Sequence, residues 1–362
     1  MRAALLQAAG QPLLVVDDVE IDDPRQGQVR VRVSHCGVCH SDLSIADGAF
    51  PAPTPIVLGH EAAGVVDAVG PGVTGVAPGD RVVLTPVPPC GVCYGCVRGE
   101  PGTCVSILGM ATSAHPDGRT GLSRKGETVY RGVNLAAFSE YVVLPANGAV
   151  KVAADAPLDI LCVIGCAVQT GVGAVINTAR VEEGATVLVL GLGGIGLSVV
   201  QGARIAGAET IVAVDPLEAR LEQAGRLGAT HVATPDGLKD VLRGVAPEGC
   251  DYAFDAVGNA DTTALAMRWT RSAGTCVIVG LPPTGVRLDL DPAEFNRREK
   301  FLTGTMYGSE DPAVALPALL DHVRAGRLQL RELLGPVFPL ERVNDAFAEA
   351  LSGSPGRVLV KL

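Results

Sequence analysis

Apolar residues along this chain fall into short runs, and the runs are of two kinds. Gln28-Val29-Arg30-Val31-Arg32-Val33 alternates polar and apolar side chains, the period of a half-buried strand, and residues 1 to about 35 read as strands. Val187-Leu188-Val189-Leu190 is apolar without alternation, as expected of a parallel strand buried on both faces. After it the pattern predicts alternating elements: a strand from Thr210 to Val214, a helix near Leu217 to Leu227, a strand at Tyr252 to Ala256, a helix near Thr262 to Thr270 and a strand at Thr275 to Val279. Helical periodicity returns in 313–323 and 343–351, before a closing strand from Arg357 to Val360. A further strand is expected at Phe138 to Leu144. The stretch from 105 to 134, with Gly109, Asp117-Gly118-Arg119-Thr120-Gly121 and Arg124-Lys125-Gly126-Glu127, reads as a long surface excursion. The longest uncharged run, Ile160 to Ala179, contains Gln169, Thr170 and Asn177, which favours one buried helix over a membrane span.

At 362 residues the chain is too long for one ordinary core and suggests two domains. A net charge of −10 argues against nucleic acid or an anionic membrane as partner. The N-terminus turns acidic within its first 20 residues and lacks the apolar core of a signal peptide, so a cytoplasmic chain is expected. In that compartment ten cysteines point to metal rather than disulfides.

The glycine loop that follows Val187-Leu188-Val189-Leu190 is Gly191-Leu192-Gly193-Gly194-Ile195-Gly196, with a G-x-G-x-x-G spacing. The first glycine permits a tight turn, the second lets backbone N–H groups approach a pyrophosphate, and the third seats the following helix on the strand. Asp215 ends the next strand, nineteen residues past Gly196. There its carboxylate would accept hydrogen bonds from ribose hydroxyls and repel a 2′-phosphate, which favours NAD over NADP. Gly280 and Leu281 follow a later strand of the same sheet, where the nicotinamide ring would lie.

Two cysteine clusters differ in kind. From His35 to Asp42, two cysteines, two histidines and an aspartate occupy eight residues; His60-Glu61 and Cys166 follow on separate segments. Two thiolates and one imidazole from distant segments leave a tetrahedral zinc one open position. Cys90, Cys93, Cys96 and Cys104, spaced C-x2-C-x2-C-x7-C in a lobe of about residues 88–106, close a tetrahedron and are expected to hold a structural zinc; a redox or iron–sulfur role is the alternative. Cys36, Cys162, Cys250 and Cys276 read as core thiols, and His35, His115, His231 and His322 as surface or capping groups.

Gly59-His60-Glu61-Ala62-Ala63-Gly64, Cys39-His40-Ser41-Asp42, the four-cysteine lobe and the glycine loop, in this order, resemble the zinc-dependent alcohol dehydrogenases of the medium-chain dehydrogenase/reductase superfamily. The resemblance implies an α/β fold: a Rossmann doubly wound parallel sheet, 161–300, inserted in a β-rich, GroES-like catalytic domain made of 1–160 and 301–362. It implies Cys39, His60 and Cys166 as catalytic zinc ligands, Asp42 orienting His60, and Glu61 close to the metal. It places His40 and Arg357 on the cofactor pyrophosphate, Thr170 on the nicotinamide and Asp215 with Arg220 on the adenosine ribose. Zinc lowers the pKa of an oxygen it holds, so the expected activity is reversible hydride transfer between an alcohol and NAD. Ser41 would relay the alcohol proton, while Ser44 stands where many relatives carry a histidine and cannot act as a base near neutral pH. Ser41 is also smaller than a threonine and favours bulky or aromatic primary alcohols. The alternatives are a thiol-adduct-dependent formaldehyde dehydrogenase and a non-catalytic zinc-containing dinucleotide sensor. Relatives pair through an edge strand of the Rossmann sheet, expected near Val286 to Leu290, as homodimers or homotetramers.

Overall fold

The computed structural model describes residues 1–115, 117–353 and 355–362. The chain divides into two units, one of Met1–Cys166, Asp311–Ala318 and Leu334–Leu362, the other of Ala167–Glu310 and Leu319–Leu333.

The first unit is β-rich and is built around the strand Gln28–Gly37. Its valines 29, 31 and 33 are buried while Arg32 between them is exposed, as the alternation requires. Three antiparallel partners line it: Glu61–Val69, Tyr141–Pro145 and the C-terminal Arg357–Lys361. Pairing with the C-terminal strand sets Leu359 opposite Gly37 and Val360 opposite Cys36, so the far end of the chain closes the same sheet. Leu6, Ile56, Leu58, Phe138, Leu144 and Val360 are among the side chains that fill the core behind it.

The second unit carries a six-stranded sheet, all parallel, in the spatial order His231–Ala233, Thr210–Val214, Thr186–Leu190, Cys250–Asp255, Thr270–Ile278, Phe301–Gly304. Strand order therefore reverses between Thr186–Leu190 and Cys250–Asp255, and a doubly wound sheet opens its ligand crevice at the carboxyl ends of those two strands. Leu188, Val212, Ala253 and Cys276 are buried, which explains the unbroken apolar runs.

Five expectations need correction. The strand expected from Phe138 begins only at Tyr141, because Phe138 instead bonds Leu58 O and Ala4 N through its backbone and Ser139 Oγ bonds Ala136 O and Tyr141 O. The Ile160 to Ala179 run is not one helix: it breaks at Cys166, at φ −136° and ψ −81°, and ends in a π-helical turn over Ala174–Ala179. Among the described residues no single helix is long and apolar enough to cross a membrane. The 105–134 excursion is partly built in, since Leu122–Arg124 pairs with Val19–Ile21, Tyr130–Arg131 pairs with Ile56–Val57, and Val129, Arg131 and Val133 are buried. Residues 286–290 form no strand, and the outer strand on that side of the sheet is Phe301–Gly304. His115 is not a surface group: it is half-buried against the buried Arg131 guanidinium, whose Nη1 donates to its ring.

Candidate active site and dinucleotide cradle

Four buried side chains converge in the first unit. Cys39 Sγ, one nitrogen of His60, a carboxylate oxygen of Glu61 and Cys166 Sγ all lie within 4.8 Å of one another. Each is set by local structure. Cys39 caps the helix His40–Ala46 in an extended conformation, φ −94° and ψ 154°, which turns its side chain away from the helix path. His60 and Glu61 come from the start of the Glu61–Val69 strand, and Cys166 from the break just described. Glu61 sits opposite Gly37 in the ladder, and a Cβ on Gly37 would stand 2.4 Å from Glu61 Oε2. Glycine there makes the room for the carboxylate.

Asp42 is fully buried and holds the cluster in place. It accepts from Gly59 N at 2.8 Å, Cys39 N at 3.2 Å and His60 Nδ1 at 3.3 Å. A carboxylate on one ring nitrogen leaves the other free as a metal ligand. Burial works against a charged His60, but Asp42 and Cys39 together hold its proton affinity well above the ordinary value. The hydrogen bond from Cys166, with Arg357 and His60 adding to it, holds Cys39 well below the usual thiol range, and Cys166 is raised in return. Glu61 is pushed up to about 7, chiefly by burial, with Arg357 opposing.

The donor set fits zinc. Arg357 Nε lies 3.0 Å from Glu61 Oε2, yet among the described residues neither Glu61 oxygen has a hydrogen-bond partner. Buried polar atoms left unpaired are costly, and a cation among two sulfurs and an imidazole would satisfy them. Arg357 also donates to Val38 O, so in this structure it serves the cluster. Ser41 Oγ is 3.8 Å from Cys39 Sγ, the Ser44 carbonyl accepts from Phe50 N at 2.8 Å, and His40 is exposed.

Cys90, Cys93, Cys96 and Cys104 form the second cluster, again with all ligand atoms within 4.8 Å. Cys104 Sγ accepts from Ser106 Oγ at 3.1 Å, Cys90 N at 3.2 Å and Ser106 N at 3.4 Å. These donors lower its thiol although burial, the largest influence, opposes them; backbone N–H groups, that of Cys96 foremost, bring Cys93 down to about 6. Cys93 and Cys104 are thus eased toward thiolate, whereas burial pushes Cys96 up to about 12. Cys36, Cys162, Cys250 and Cys276 are all fully buried, as core thiols should be.

In the second unit Gly191 adopts φ +86°, and a Cβ on Gly196 would meet Gly191 O at 1.8 Å. Among the described residues nothing lies within 4 Å of where a Gly193 Cβ would be, so the second glycine faces open space, as a cradle for a pyrophosphate requires. Gly194 and Ile195 open the helix Gly194–Ile205 behind it. Asp215 is 3% exposed and accepts from Leu192 N at 2.8 Å, Leu217 N at 3.0 Å and Arg220 Nη1 at 3.4 Å. Thr170 is buried, Leu281 is 54% exposed, and Gly280 packs backbone to backbone on Val257 and Gly258. Two features escaped the sequence reading: Gly37, which only the ladder register reveals, and Asp255, which repeats at the end of its strand the apolar-run-then-acid pattern of Asp215.

Residues 25–154 match the alcohol dehydrogenase GroES-like domain and residues 194–322 the zinc-binding dehydrogenase family. An S-(hydroxymethyl)glutathione dehydrogenase of Paracoccus denitrificans is 36% identical over 99% of both chains. This chain belongs to the zinc-dependent alcohol dehydrogenases of the medium-chain dehydrogenase/reductase superfamily. Among solved structures of the family, an alcohol dehydrogenase zinc-binding domain protein from Burkholderia ambifaria superimposes with a TM-score of 0.94 at 37% identity, covering 100% of this chain and 98% of that one. Benzyl alcohol dehydrogenase from Acinetobacter calcoaceticus gives a TM-score of 0.94 at 30% identity, covering 100% and 99%. Both clusters of this dehydrogenase fit the family's zinc chemistry, one catalytic and one structural.

Proposed function

We propose that this dehydrogenase oxidises bulky or aromatic primary alcohols with NAD, and reduces the corresponding aldehydes. The observation that carries the reading is the convergence of Cys39, His60 and Cys166 around a space that Asp42 orients and Glu61 borders. Zinc held there supplies Lewis-acid polarisation of the substrate oxygen, and NAD in the glycine-loop cradle supplies the hydride acceptor. The remaining work falls to the chain's own groups. Cys39, His60 and Cys166 are the ligands, and Asp42 fixes the His60 tautomer. Ser41 Oγ takes the alcohol proton and passes it on, since a hydroxyl donates and accepts at once. Ser44 does not finish that relay, and the proton leaves to water or another group. Asp215 and Arg220 hold the adenosine ribose, and Thr170 with Gly280 and Leu281 the nicotinamide.

The small Ser41 and the benzyl alcohol dehydrogenase relative support a bulky substrate. The S-(hydroxymethyl)glutathione dehydrogenase relative supports a second reading, oxidation of a thiol–formaldehyde adduct. NADH formation across aliphatic, benzylic and terpenoid alcohols, and with formaldehyde in the presence and absence of glutathione, separates them. Benzylic turnover with NAD and no thiol is the expected result; strict dependence on thiol favours the second reading. No NADH from any substrate would leave a dinucleotide sensor. We further propose a cytoplasmic homodimer or homotetramer, supported by ten free cysteines and by Phe301, 60% exposed on the outer strand of the sheet.

A further inference from the structure

The crevice at the strand-order reversal has two walls. One is the loop from Gly191 to Gly193, and the other is the turn Ala256-Val257-Gly258 that follows the strand Cys250–Asp255. The walls touch: a Cβ on Gly191 would stand 2.6 Å from Val257 Cγ2, and Ala256 N donates to Leu190 O at 2.9 Å. Val257 is nonetheless 47% exposed, an apolar side chain presented at the mouth of the crevice.

Asp255 organises this second wall. Its side chain is fully buried, and each hydrogen bond it accepts comes from a neutral donor. Oδ1 takes Val257 N at 3.0 Å and Gly258 N at 3.1 Å, and Oδ2 takes Thr263 Oγ at 2.6 Å. Thr263 lies in the first turn of the helix Ala260–Trp269, so the bond ties the turn to the helix that follows it. The backbone carbonyl of Asp255 accepts from Val279 N at 2.9 Å and Gly280 N at 2.8 Å. One residue therefore fixes the turn, the helix start and the Gly280 segment. Gly258, at φ +84°, and Gly280 pack so closely that a Cβ on Gly280 would meet Gly258 N at 2.5 Å.

We propose that Asp255, latched by Thr263, is a positioning residue for the dinucleotide: it holds the Ala256–Gly258 turn and Gly280 at the spacing from the glycine loop that NAD needs. The proposal rests on the NAD reading above. A carboxylate is suited to the task because it gathers several N–H donors at once without donating itself. An asparagine can replace it, with its oxygen on the two N–H groups and its amide donating to Thr263 Oγ, which then donates to Asn259 O, 2.9 Å away.

The test is NADH affinity of the purified full chain by fluorescence titration, with a thermal melt of each variant. Asp251, at the opposite end of the same strand, provides the control, since it accepts from Thr186 N at 2.7 Å and Arg271 Nε at 2.6 Å far along the strand from the crevice. Asp255→Ala, which removes all three bonds that the Asp255 carboxylate accepts, is expected to weaken NADH binding about tenfold or more. Asp255→Asn should restore affinity to about twofold of wild type, and Asp251→Ala should lower the melting temperature while leaving NADH affinity unchanged. Should Asp255→Ala not fold, Thr263→Val reads the latch alone and should weaken binding about threefold. The proposal is overturned if folded Asp255→Ala or Thr263→Val binds NADH like wild type, or if Asp251→Ala weakens binding equally. Wild-type protein that binds neither NADH nor NADPH would sink the NAD reading itself, a separate result.

Discussion

Replacing Asp42 by asparagine changes one atom and should loosen one metal site selectively. The carboxylate accepts three hydrogen bonds, Oδ1 from Gly59 N and His60 Nδ1 and Oδ2 from Cys39 N, and is fully buried. An asparagine keeps one acceptor. With its oxygen toward Gly59 and His60, its NH2 faces the Cys39 N–H, donor against donor, and a buried donor left unpaired costs about 1–3 kcal/mol. Loss of the charge also makes His60 a weaker ligand, and such changes behind a metal-bound histidine typically cost about 10–100-fold in affinity. The cost falls on Cys39 and His60 and not on Cys90, Cys93, Cys96 or Cys104, which form a separate cluster. Zinc release to a chromophoric chelator should therefore be biphasic in Asp42→Asn, one ion leaving about 10–100-fold faster than in wild type and the other unchanged. Release of both ions at the wild-type rate would refute the role assigned to Asp42. Equal acceleration of both would show general unfolding instead.

Cys96→Ser should remove the structural ion alone: zinc content falls by one per chain, the melting temperature drops, and the protein that stays folded keeps its NADH affinity; loss of the other ion as well would contradict separate sites. Ser44→His should add a limb on the acidic side of the pH–rate profile for alcohol oxidation, the rate rising as the new imidazole loses its proton, and coincident profiles would show that the relay's end has no kinetic weight. His115 is held down to about 3, first by burial and then by the Arg131 charge, so the unfolded chain, at 6.5, binds the extra proton. Its contribution to stability is complete above pH 6.5 and is lost as pH falls toward 3. Urea midpoints of His115→Gln should fall less steeply than wild type over that range, and superimposable slopes would count against the shift.

Apart from the long-range ligand set Cys39, His60 and Cys166 and the family's domain plan, what could be read from the sequence was local. Cysteine spacing, the glycine loop and the acid at Asp215 carry their geometry within a few residues, because backbone turns and ligand bites are short-range. The apolar runs likewise announced the parallel strands, since burial on both faces leaves no choice of pattern. What could not be read depended on distant partners. Leu122–Arg124 is a strand only because Val19–Ile21 lies beside it, and Phe138 leaves its strand because Leu58 and Ala4 bind its backbone. The half-buried His115 answers to Arg131, sixteen residues on, and the room for Glu61 comes from Gly37 across the ladder. Residues 286–290 have β-forming side chains but no strand beside them in the chain by itself.

Cobalt substituted at the Cys39, His60 and Cys166 site gives the most direct measurement, because its visible spectrum reports ligand type, geometry and open positions together. The expected spectrum shows sulfur-to-metal charge transfer and intense tetrahedral bands, and the bands shift when benzyl alcohol is added with NAD. A weak octahedral spectrum, or tetrahedral bands that no alcohol moves, would mean that these three side chains do not hold a metal open to substrate.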